Sequence, residues 1–98
     1  MGRIQGLTDT LALTGSQLLK TGVGYVFSIT LAWTGATVGD KVYLRDGTNG
    51  AAAPLVVFVL ATANGTLNKE WANGKEFKVG LYYDEGTPAN CFTELTYK

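Results

Sequence analysis

Pairs of residues that favour tight turns recur along this chain at intervals too short for ordinary helices to fit between them. Asparagine-glycine and aspartate-glycine pairs form tight turns readily because both residues tolerate a positive φ. The single glycines Gly22, Gly35 and Gly39 extend this spacing toward the N-terminus. The spacing predicts short strands joined by turns, with little room for helices. The pairs are Asp46-Gly47, Asn49-Gly50, Asn64-Gly65, Asn73-Gly74 and Glu85-Gly86.

Residues 23–33 alternate between apolar and small or polar side chains, which is the pattern of a β-strand. Successive side chains of a strand point to opposite faces, so every second residue belongs to the same face. Val26 is the only large apolar residue that falls on the opposite face. We therefore predict that one stripe of this strand faces the core, and its members are Val23, Tyr25, Phe27, Ile29, Leu31 and Trp33.

Further segments carry strand patterns of their own. Residues 41–45 alternate between apolar and amphipathic side chains, as in a strand. Residues 55–60 are six apolar residues in succession, so both faces of the strand that they form are expected to be covered. Asn64-Gly65 predicts a hairpin turn into a strand over 66–71, and Asn73-Gly74 is expected to end that strand. The apolar faces of the last two predicted strands hold Phe77, Val79, Leu81 and Tyr83 in one and Cys91, Thr93, Leu95 and Tyr97 in the other.

These patterns together predict an all-β fold, either an antiparallel β-sandwich or a jelly-roll-like barrel. Six strands have clear patterns and residues 16–21 supply a seventh, so about six to eight short strands are expected. A chain of 98 residues holds one hydrophobic core. We assign residues 16–98 to a single β-sandwich domain and residues 1–15 to an N-terminal extended arm or additional edge strand.

The charged and titratable residues exclude several classes of function. Eight basic residues balance eight acidic ones, so the chain lacks the electrostatic signature of a protein that binds nucleic acid or an anionic membrane. It contains no histidine, which is the commonest general base and the commonest metal ligand. The N-terminus has no signal-peptide pattern, and no apolar run approaches the roughly 20 residues of a membrane helix. We expect no nucleic-acid partner and no membrane partner.

Motifs for cofactors, metals and catalysis each fail at a required position. Gly22-Val23-Gly24 lacks the third glycine of a dinucleotide site, and Asp40 stands where a phosphate loop has lysine. Residues 46–57 resemble a calcium loop but end on Val57 instead of glutamate. The lone cysteine, Cys91, has no histidine to activate it and is expected to be a small buried residue. We predict no enzyme activity, no cofactor and no metal site.

Two hypotheses based on carboxylates stay open. Asp40, Asp46, Asp84 and Glu85 lie in predicted turns and could converge on a cation. A small hydrolase could use a pair of carboxylates, although none of them lies in an apolar stretch that would keep one carboxyl protonated. Loop carboxylates commonly accept hydrogen bonds from backbone N–H groups instead.

Aromatic residues on the faces opposite the apolar stripes are candidates for contact with a partner. Tyr43 and Tyr82 hold such positions, whereas Trp33 and Tyr25 belong to the predicted core stripe. Aromatic side chains serve protein interfaces and ligand platforms alike, since they combine a large apolar body with a polar end. The candidate contact residues are Tyr43, Tyr82, Tyr83 and Trp71, together with Leu7, Leu11 and Leu13 of the N-terminal arm.

The low charge and the apolar run at 55–60 predict a homo-oligomer. Charged residues make up 16% of the chain, against about 25% in an average soluble domain. A strand in a chain this small turns only one face to its own core, so the other face needs a cover. We expect one face of residues 55–60, or the N-terminal leucines, to be buried between subunits.

Several short segments, taken in order, resemble small structural proteins of tailed bacteriophages, including phages of cyanobacteria. The likeness covers most of residues 18–98. In such proteins a compact β-sandwich often assembles as a trimer on the capsid or attaches to the tail. The resemblance implies no catalytic residues. The segments that carry it are residues 18–25 (LLKTGVGY), residues 35–47 (GATVGDKVYLRDG), Asn64-Gly65-Thr66 and Gly80-Leu81-Tyr82.

The resemblance implies a capsid decoration or cement protein that binds the capsid shell and stabilises it. Its partners would be further copies of itself, in a homotrimer, and the major capsid protein or other virion proteins. Its location would be the virion, assembled in the host cytoplasm. The alternative is a tail-associated or fibre-associated β-module that binds a receptor or carbohydrate, with Tyr43, Tyr82, Tyr83 and Trp71 as its platform.

Overall fold

The computed structural model describes residues 8–10, 13, 15–86 and 90–98. Within these residues, the strands are β1 (Thr8–Asp9), β2 (Gln17–Thr21), β3 (Gly24–Thr34), β4 (Lys41–Asp46), β5 (Ala53–Val59), β6 (Gly65–Phe77), β7 (Gly80–Asp84) and β8 (Asn90–Tyr97). They form two four-stranded antiparallel sheets, the first in the order β1-β8-β3-β6 and the second in the order β2-β7-β4-β5. The described residues contain no helix, and the predicted all-β sandwich is confirmed.

The pairing of the strands is that of a jelly roll. β1 pairs with β8, β2 with β7, β3 with β6 and β4 with β5, so the chain runs as one long hairpin whose tip is the loop between β4 and β5. Two further pairings, β3 with β8 and β4 with β7, roll that hairpin into two stacked sheets. No pairing joins one sheet to the other among the described strands, so the fold is a sandwich and not a closed barrel.

The hydrophobic core lies between the two sheets and is complete within one chain. The accessible surface is 5365 Å², close to the roughly 5,400 Å² of a folded monomer of 10.4 kDa. β8 follows its predicted alternation, with Cys91, Thr93 and Leu95 buried and Phe92 exposed. The buried apolar side chains are Val26, Ile29, Leu31, Trp33, Ala36, Val42, Leu44, Phe58, Leu60, Phe77, Leu81, Tyr83, Cys91 and Leu95.

β3 carries a bulge that changes which of its residues face the core. Against β8, Val26 pairs with Tyr97 and Ser28 pairs with Thr96, so Phe27 is an extra residue with no partner of its own. One extra residue in a strand exchanges its two faces beyond that point. The strand therefore presents one set of residues to the core before Phe27 and the other set after it.

The bulge makes the predicted core stripe wrong in its first half and correct in its second. Val23 is 58% exposed and Tyr25 is 40% exposed, while Phe27 is half-buried. Val26, the apolar exception in the sequence pattern, is fully buried in their place. The predicted stripe residues that face the core are Ile29, Leu31 and Trp33.

β6 continues through Asn73-Gly74, where the sequence predicts the end of a strand. Gly74 adopts a φ of 81°, and residues 71–74 form a second bulge opposite Phe27 of β3. The chain then turns at Lys78 and Val79 and crosses to the second sheet. Val79 lies in that turn and is 57% exposed, so the prediction that it shares a buried face is wrong.

β5 and β6 do not form the hairpin that Asn64-Gly65 predicts. β5 pairs with β4 in the second sheet, whereas β6 pairs with β3 in the first sheet. The Asn64 side chain instead accepts a hydrogen bond from the Gly35 N–H at 3.0 Å, which ties this turn to the end of β3. The turn therefore carries the chain from one sheet to the other.

Only one face of β5 is covered within the chain, so the cover expected for the other face of residues 55–60 would have to come from another subunit. Phe58 and Leu60 are buried in the core, whereas Val57 is 43% exposed and Val59 is 55% exposed. β5 pairs with β4 alone and forms an edge of the second sheet. Because the sandwich has only two layers, each sheet has one face against the other sheet, and the opposite face of β5 has no second layer of the described chain over it.

The N-terminal segment lies beside β8 where the structure describes it. Thr8 and Asp9 pair with β8 as a short edge strand, and Leu13 forms an isolated bridge to Thr93. Leu13 packs against the core. Leu7 and Leu11 lie outside the described residues.

Candidate functional site

The outward-facing surface of the second sheet gathers apolar and aromatic side chains from all four of its strands. Residues paired directly across antiparallel strands point to the same face, so the register identifies the members of this surface. Tyr82 lies between Leu18 and Arg45, and Tyr43 pairs with Val57. We call this surface the outer face of the second sheet, and its members are Leu18, Lys41, Tyr43, Arg45, Pro54, Val57, Val59, Tyr82 and Asp84.

Exposed apolar side chains adjoin one another on the outer face of the second sheet. Leu18 is 42% exposed and lies beside Tyr82, while Val57 and Val59 line the far edge. Tyr43 and Tyr82 are half-buried between these two ends. Apolar side chains scattered singly over a surface need no explanation, but a contiguous group marks a site of interaction.

Arg45 occupies the centre of the outer face of the second sheet and is held by three contacts. Its guanidinium carbon lies 4.2 Å from the centre of the Tyr43 ring. Its Nε donates to Asp84 Oδ2 at 2.8 Å, and its Nη1 donates to the Ala52 carbonyl at 2.9 Å. A cation over an aromatic ring and a paired carboxylate both favour one fixed geometry. The centre of this surface is therefore neutral in charge and ordered before any partner arrives.

Asp84 also holds the loop that follows β7. Its Oδ1 accepts hydrogen bonds from the Gly86 N–H at 2.9 Å and from the Ser16 hydroxyl at 3.5 Å. The Ser16 oxygen in turn accepts the Glu85 N–H at 2.9 Å. Glu85 Oε2 is buried with no hydrogen-bond partner in the part of the chain that is described, and burial raises the pKa of this carboxyl.

Asp46 holds the turn by which the chain crosses between the sheets. Its Oδ1 accepts hydrogen bonds from the N–H groups of Lys78 at 3.0 Å and Val79 at 2.8 Å, and a longer one from Gly80 at 3.4 Å. Burial opposes ionisation of this group, but the backbone hydrogen bonds outweigh burial and hold the pKa of Asp46 below its ordinary value.

Three of the four carboxylates considered above for a cation accept hydrogen bonds from the backbone. Asp40 accepts the Thr37 N–H at 2.9 Å, and Asp46 and Asp84 hold the two turns just described. Among residues 8–10, 13, 15–86 and 90–98, no group of three His, Cys, Asp or Glu side chains is placed to hold a metal ion.

Tyr83 is fully buried, which corrects its assignment as a contact residue. Its hydroxyl lies 2.6 Å from Thr93 Oγ1 and donates to Cys91 Sγ at 3.8 Å. Burial raises the pKa of this hydroxyl above its ordinary value. Because β7 and β8 belong to different sheets, these contacts join the sheets across the core. The alternation of residues 77–83 already assigns Tyr83 to the apolar side, so the sequence contained this signal.

The structure brings Tyr43 and Tyr82 together on one surface, as their positions opposite the apolar stripes predict. Trp71 is partly buried and packs against the core from the first sheet, so it does not join them. Sequence reasoning missed Arg45 and Leu18. Arg45 shares the alternation of Tyr43, which would have placed both on one face, whereas nothing in the sequence pairs Leu18 with Tyr82.

The outward-facing surface of the first sheet is mainly polar. Thr30 of β3 lies between Asn68 and Glu94, and Asn68 Nδ2 donates to Thr30 Oγ1 at 2.7 Å. Phe92 is 52% exposed on this surface and pairs with Ala32. The first sheet therefore presents hydrogen-bonding groups to solvent where the second sheet presents apolar ones.

Comparison of the chain with models of protein families, with curated proteins and with solved structures returns no match. No helix long and apolar enough to cross a membrane is present among the described residues.

Proposed function

We propose that this chain is a virion structural protein of a tailed bacteriophage, in the first place a capsid decoration or cement protein. The observation that carries the proposal is the contiguous apolar and aromatic outer face of the second sheet, on a sandwich whose own core is already complete. The fold needs no further cover for its interior, so these exposed side chains are available to a partner. The class of partner, other virion proteins, comes from the resemblance of short segments within residues 18–98 to structural proteins of tailed bacteriophages.

The chemistry of the outer face of the second sheet suits a protein partner. Tyrosine and arginine are enriched in the central parts of protein interfaces, and here Tyr43, Tyr82 and Arg45 adjoin. Arg45 is already held by Asp84 and Tyr43, so little side-chain freedom is lost when a partner covers it. The net charge of the chain is zero, which favours an apolar protein surface over nucleic acid as the partner.

The proposed activity is mechanical. Copies of the protein, associated with one another, would bind neighbouring major capsid subunits or other virion proteins and hold them together. Many modest contacts on one lattice add up by avidity, so no single contact has to be strong. The protein would assemble with the capsid in the host cytoplasm and remain in the virion.

The alternative, a receptor-binding or carbohydrate-binding module, is less well supported by the arrangement of the aromatic rings. A platform for a ligand needs ring faces that are open to it. Arg45 covers one face of the Tyr43 ring, Tyr83 is buried, and Trp71 packs against the core. Tyr82 adjoins the exposed Leu18 and Tyr43 adjoins the exposed Val57, but Tyr83 and Trp71 do not join them on this surface.

Co-sedimentation with capsid shells tests the proposal. Purified protein is mixed with empty capsid shells of the phage that carries the gene for this chain. We expect the wild type to bind the shells and Tyr82→Ala to bind at least about tenfold more weakly, since a central interface tyrosine is worth more than 1.4 kcal/mol. Phe92→Ala is the matched control, because Phe92 is an exposed aromatic residue on the other sheet.

Three results would contradict the proposal. The wild type could fail to sediment with the shells, or Phe92→Ala could weaken binding as much as Tyr82→Ala. Binding of the wild type to an array of glycans, without binding to shells, would favour the carbohydrate-binding alternative. A gene position beside tail genes would move the proposed location from the capsid to the tail.

A further inference from the structure

β5 differs from the other edge strands of the sandwich in carrying no charged side chain. A sheet edge exposes unpaired N–H and C=O groups and is a template for a further strand. Proteins block such edges by making them short, by bulges and by charged side chains, especially lysine. The edge strands among the described residues are β1 and β6 in the first sheet and β2 and β5 in the second.

Each of the other three edges combines a charged residue with a second protective feature. β1 includes Asp9 and has only two residues, too few to template a further strand. β2 includes Lys20 and is interrupted by a register shift between Leu18 and Lys20. β6 carries the bulge at residues 71–74, and its Lys69 pairs with Ile29, so a lysine occupies the core-facing side of this edge. β5 has a bulge but no charge.

β5 carries no charge, and its register is regular from Val56 to Val59. No charged residue occurs anywhere between Asp46 and Lys69. A register shift at Leu55 and the proline Pro54 confine the part of β5 that is open to pairing to residues 56–59. Within the part of the chain that is described, no strand pairs with the other side of β5.

The hydrogen bonding of β5 shows which of its backbone groups face the open side. The Leu60 N–H donates to the Asp40 carbonyl at 2.8 Å. Residues that bond to the neighbouring strand alternate with residues that do not. Phe58 therefore also bonds toward β4, while the N–H and C=O groups of Val57 and Val59 point away from β4 into the open edge.

We propose that β5 pairs in antiparallel fashion with β5 of a second copy of this chain, about a twofold axis, so that the second sheet continues across a dimer. The inference identifies the self-association surface of the proposed virion protein and rests on the proposed function for its biological role. A strand in antiparallel pairing presents the same pattern of donors and acceptors to a copy of itself. The exposed rows that contain Val57 and Val59 then adjoin on one continuous outer face.

Charge favours a second copy as the occupant of this edge. The chain has a net charge of zero, so two copies approach without long-range repulsion. The edge itself is neutral and apolar, and an identical neutral strand matches it, whereas a charged peptide would find no opposite charge on β5.

The size of the edge sets the expected strength of the dimer. The regular part of β5, residues 56–59, has four residues and spans about 14 Å. A single pair of strands of this length buries less than the roughly 800 Å² per partner of a standard stable interface. We therefore expect dissociation in the micromolar range. A twofold pairing of this kind gives dimers, and a trimer would require a different surface.

Sedimentation velocity with a matched pair of variants tests the proposal. Val59 is 55% exposed on β5, and Val79 is 57% exposed in the turn between β6 and β7. Over concentrations from about 1 to about 200 µM, we expect the wild type and Val79→Lys to form dimers. Val59→Lys should remain a folded monomer by circular dichroism, with its dissociation constant raised at least about tenfold because the charge blocks the edge.

Amide hydrogen exchange of the wild type provides a second test that depends on no variant. Edge pairing predicts that the Val57 and Val59 amides become protected as the protein concentration rises. If the dimer instead formed by stacking the outer faces of two second sheets, these amides would exchange at the same rate at every concentration, and the edge proposal would be overturned.

Sedimentation velocity has three further outcomes that bear on the edge proposal. A wild type that stays monomeric over the whole range, a trimer, or equal behaviour of Val59→Lys and Val79→Lys would each overturn the edge proposal. Shell binding is measured separately on the same samples. Loss of shell binding with an intact dimer contradicts the proposed function alone, and shell binding by a protein that never dimerises contradicts the edge proposal alone.

Discussion

β5 and β6 follow one another in the chain, and each closes one sheet of the sandwich, yet their edges are opposite in character. β6 is long, bulged and rich in charge, and it carries Lys69 on its core-facing side. β5 is uncharged and regular from Val56 to Val59, with Val57 and Val59 exposed. The difference teaches that an apolar run does not by itself mean a strand buried on both faces. It is the uncharged edge that we propose pairs with another subunit.

The largest expected effect separates the two faces of β5. Phe58→Asp should prevent folding, because burying an unpaired carboxylate in the core costs a large part of the roughly 5 to 15 kcal/mol by which a folded domain is stable. Val57→Asp should leave a folded monomer, since Val57 is 43% exposed. Circular dichroism and urea unfolding check both. Equal loss of folding in the two variants would mean that both faces of β5 are buried.

A smaller effect on stability is expected for the contact between Tyr83 and Thr93, which joins the two sheets. Tyr83→Phe leaves the buried Thr93 hydroxyl without its 2.6 Å partner and should cost about 1 to 3 kcal/mol. Replacing both partners, as Tyr83→Phe with Thr93→Val, should cost less than the sum of the two single changes. Urea unfolding of the four proteins measures this coupling. Additive costs would show that the two hydroxyls do not interact.

The turn between β6 and β7 should depend on pH through Asp46. The folded pKa of Asp46 lies below its ordinary value, so its contribution to stability is present above the unfolded pKa and is lost as pH falls through the folded pKa. At neutral pH, Asp46→Asn should cost about 1 kcal/mol, a figure reduced for solvent screening. Urea unfolding between neutral and strongly acidic pH should show this difference shrinking. A difference that is constant with pH would contradict it.

The smallest effect on stability is expected where β6 is made to resemble β5. Lys69 is exposed, so Lys69→Val should change the free energy of unfolding by less than about 0.5 kcal/mol. It should nevertheless increase self-association, because it removes the charge from the core-facing side of the β6 edge. Light scattering as a function of concentration checks this. Unchanged scattering would show that Lys69 is not what blocks β6.

The sequence predicts some elements of this protein correctly and others not, and the reasons are physical. The alternation in β8 holds because no bulge interrupts it, so Cys91 and Leu95 are buried as expected. The alternation in β3 fails before Phe27, because β8 and β6 decide where the extra residue is accommodated. Asn64-Gly65 forms a turn as its composition predicts, but a dipeptide does not specify which strands pair.

The candidate site likewise combines features that a local sequence pattern predicts with features that it does not. Alternation placed Tyr43 and Tyr82 on outward faces, since that requires only the period of two. Their adjacency, the position of Arg45 over the Tyr43 ring and the salt bridge to Asp84 depend on the register between β4 and β7. Register is set by residues 39 apart in the chain, such as Arg45 and Asp84, and no local pattern records it.

The sequence by itself determined that this protein is all-β with one core, sparse charge and no histidine, because turn dipeptides, a period of two and composition are local properties. Only the tertiary structure decided the jelly-roll pairing, the bulges opposite one another in β3 and β6, and the burial of Tyr83. It also decided that β5 is an edge with one face exposed. These features arise from contacts between distant segments, whose energies a single stretch of sequence does not contain.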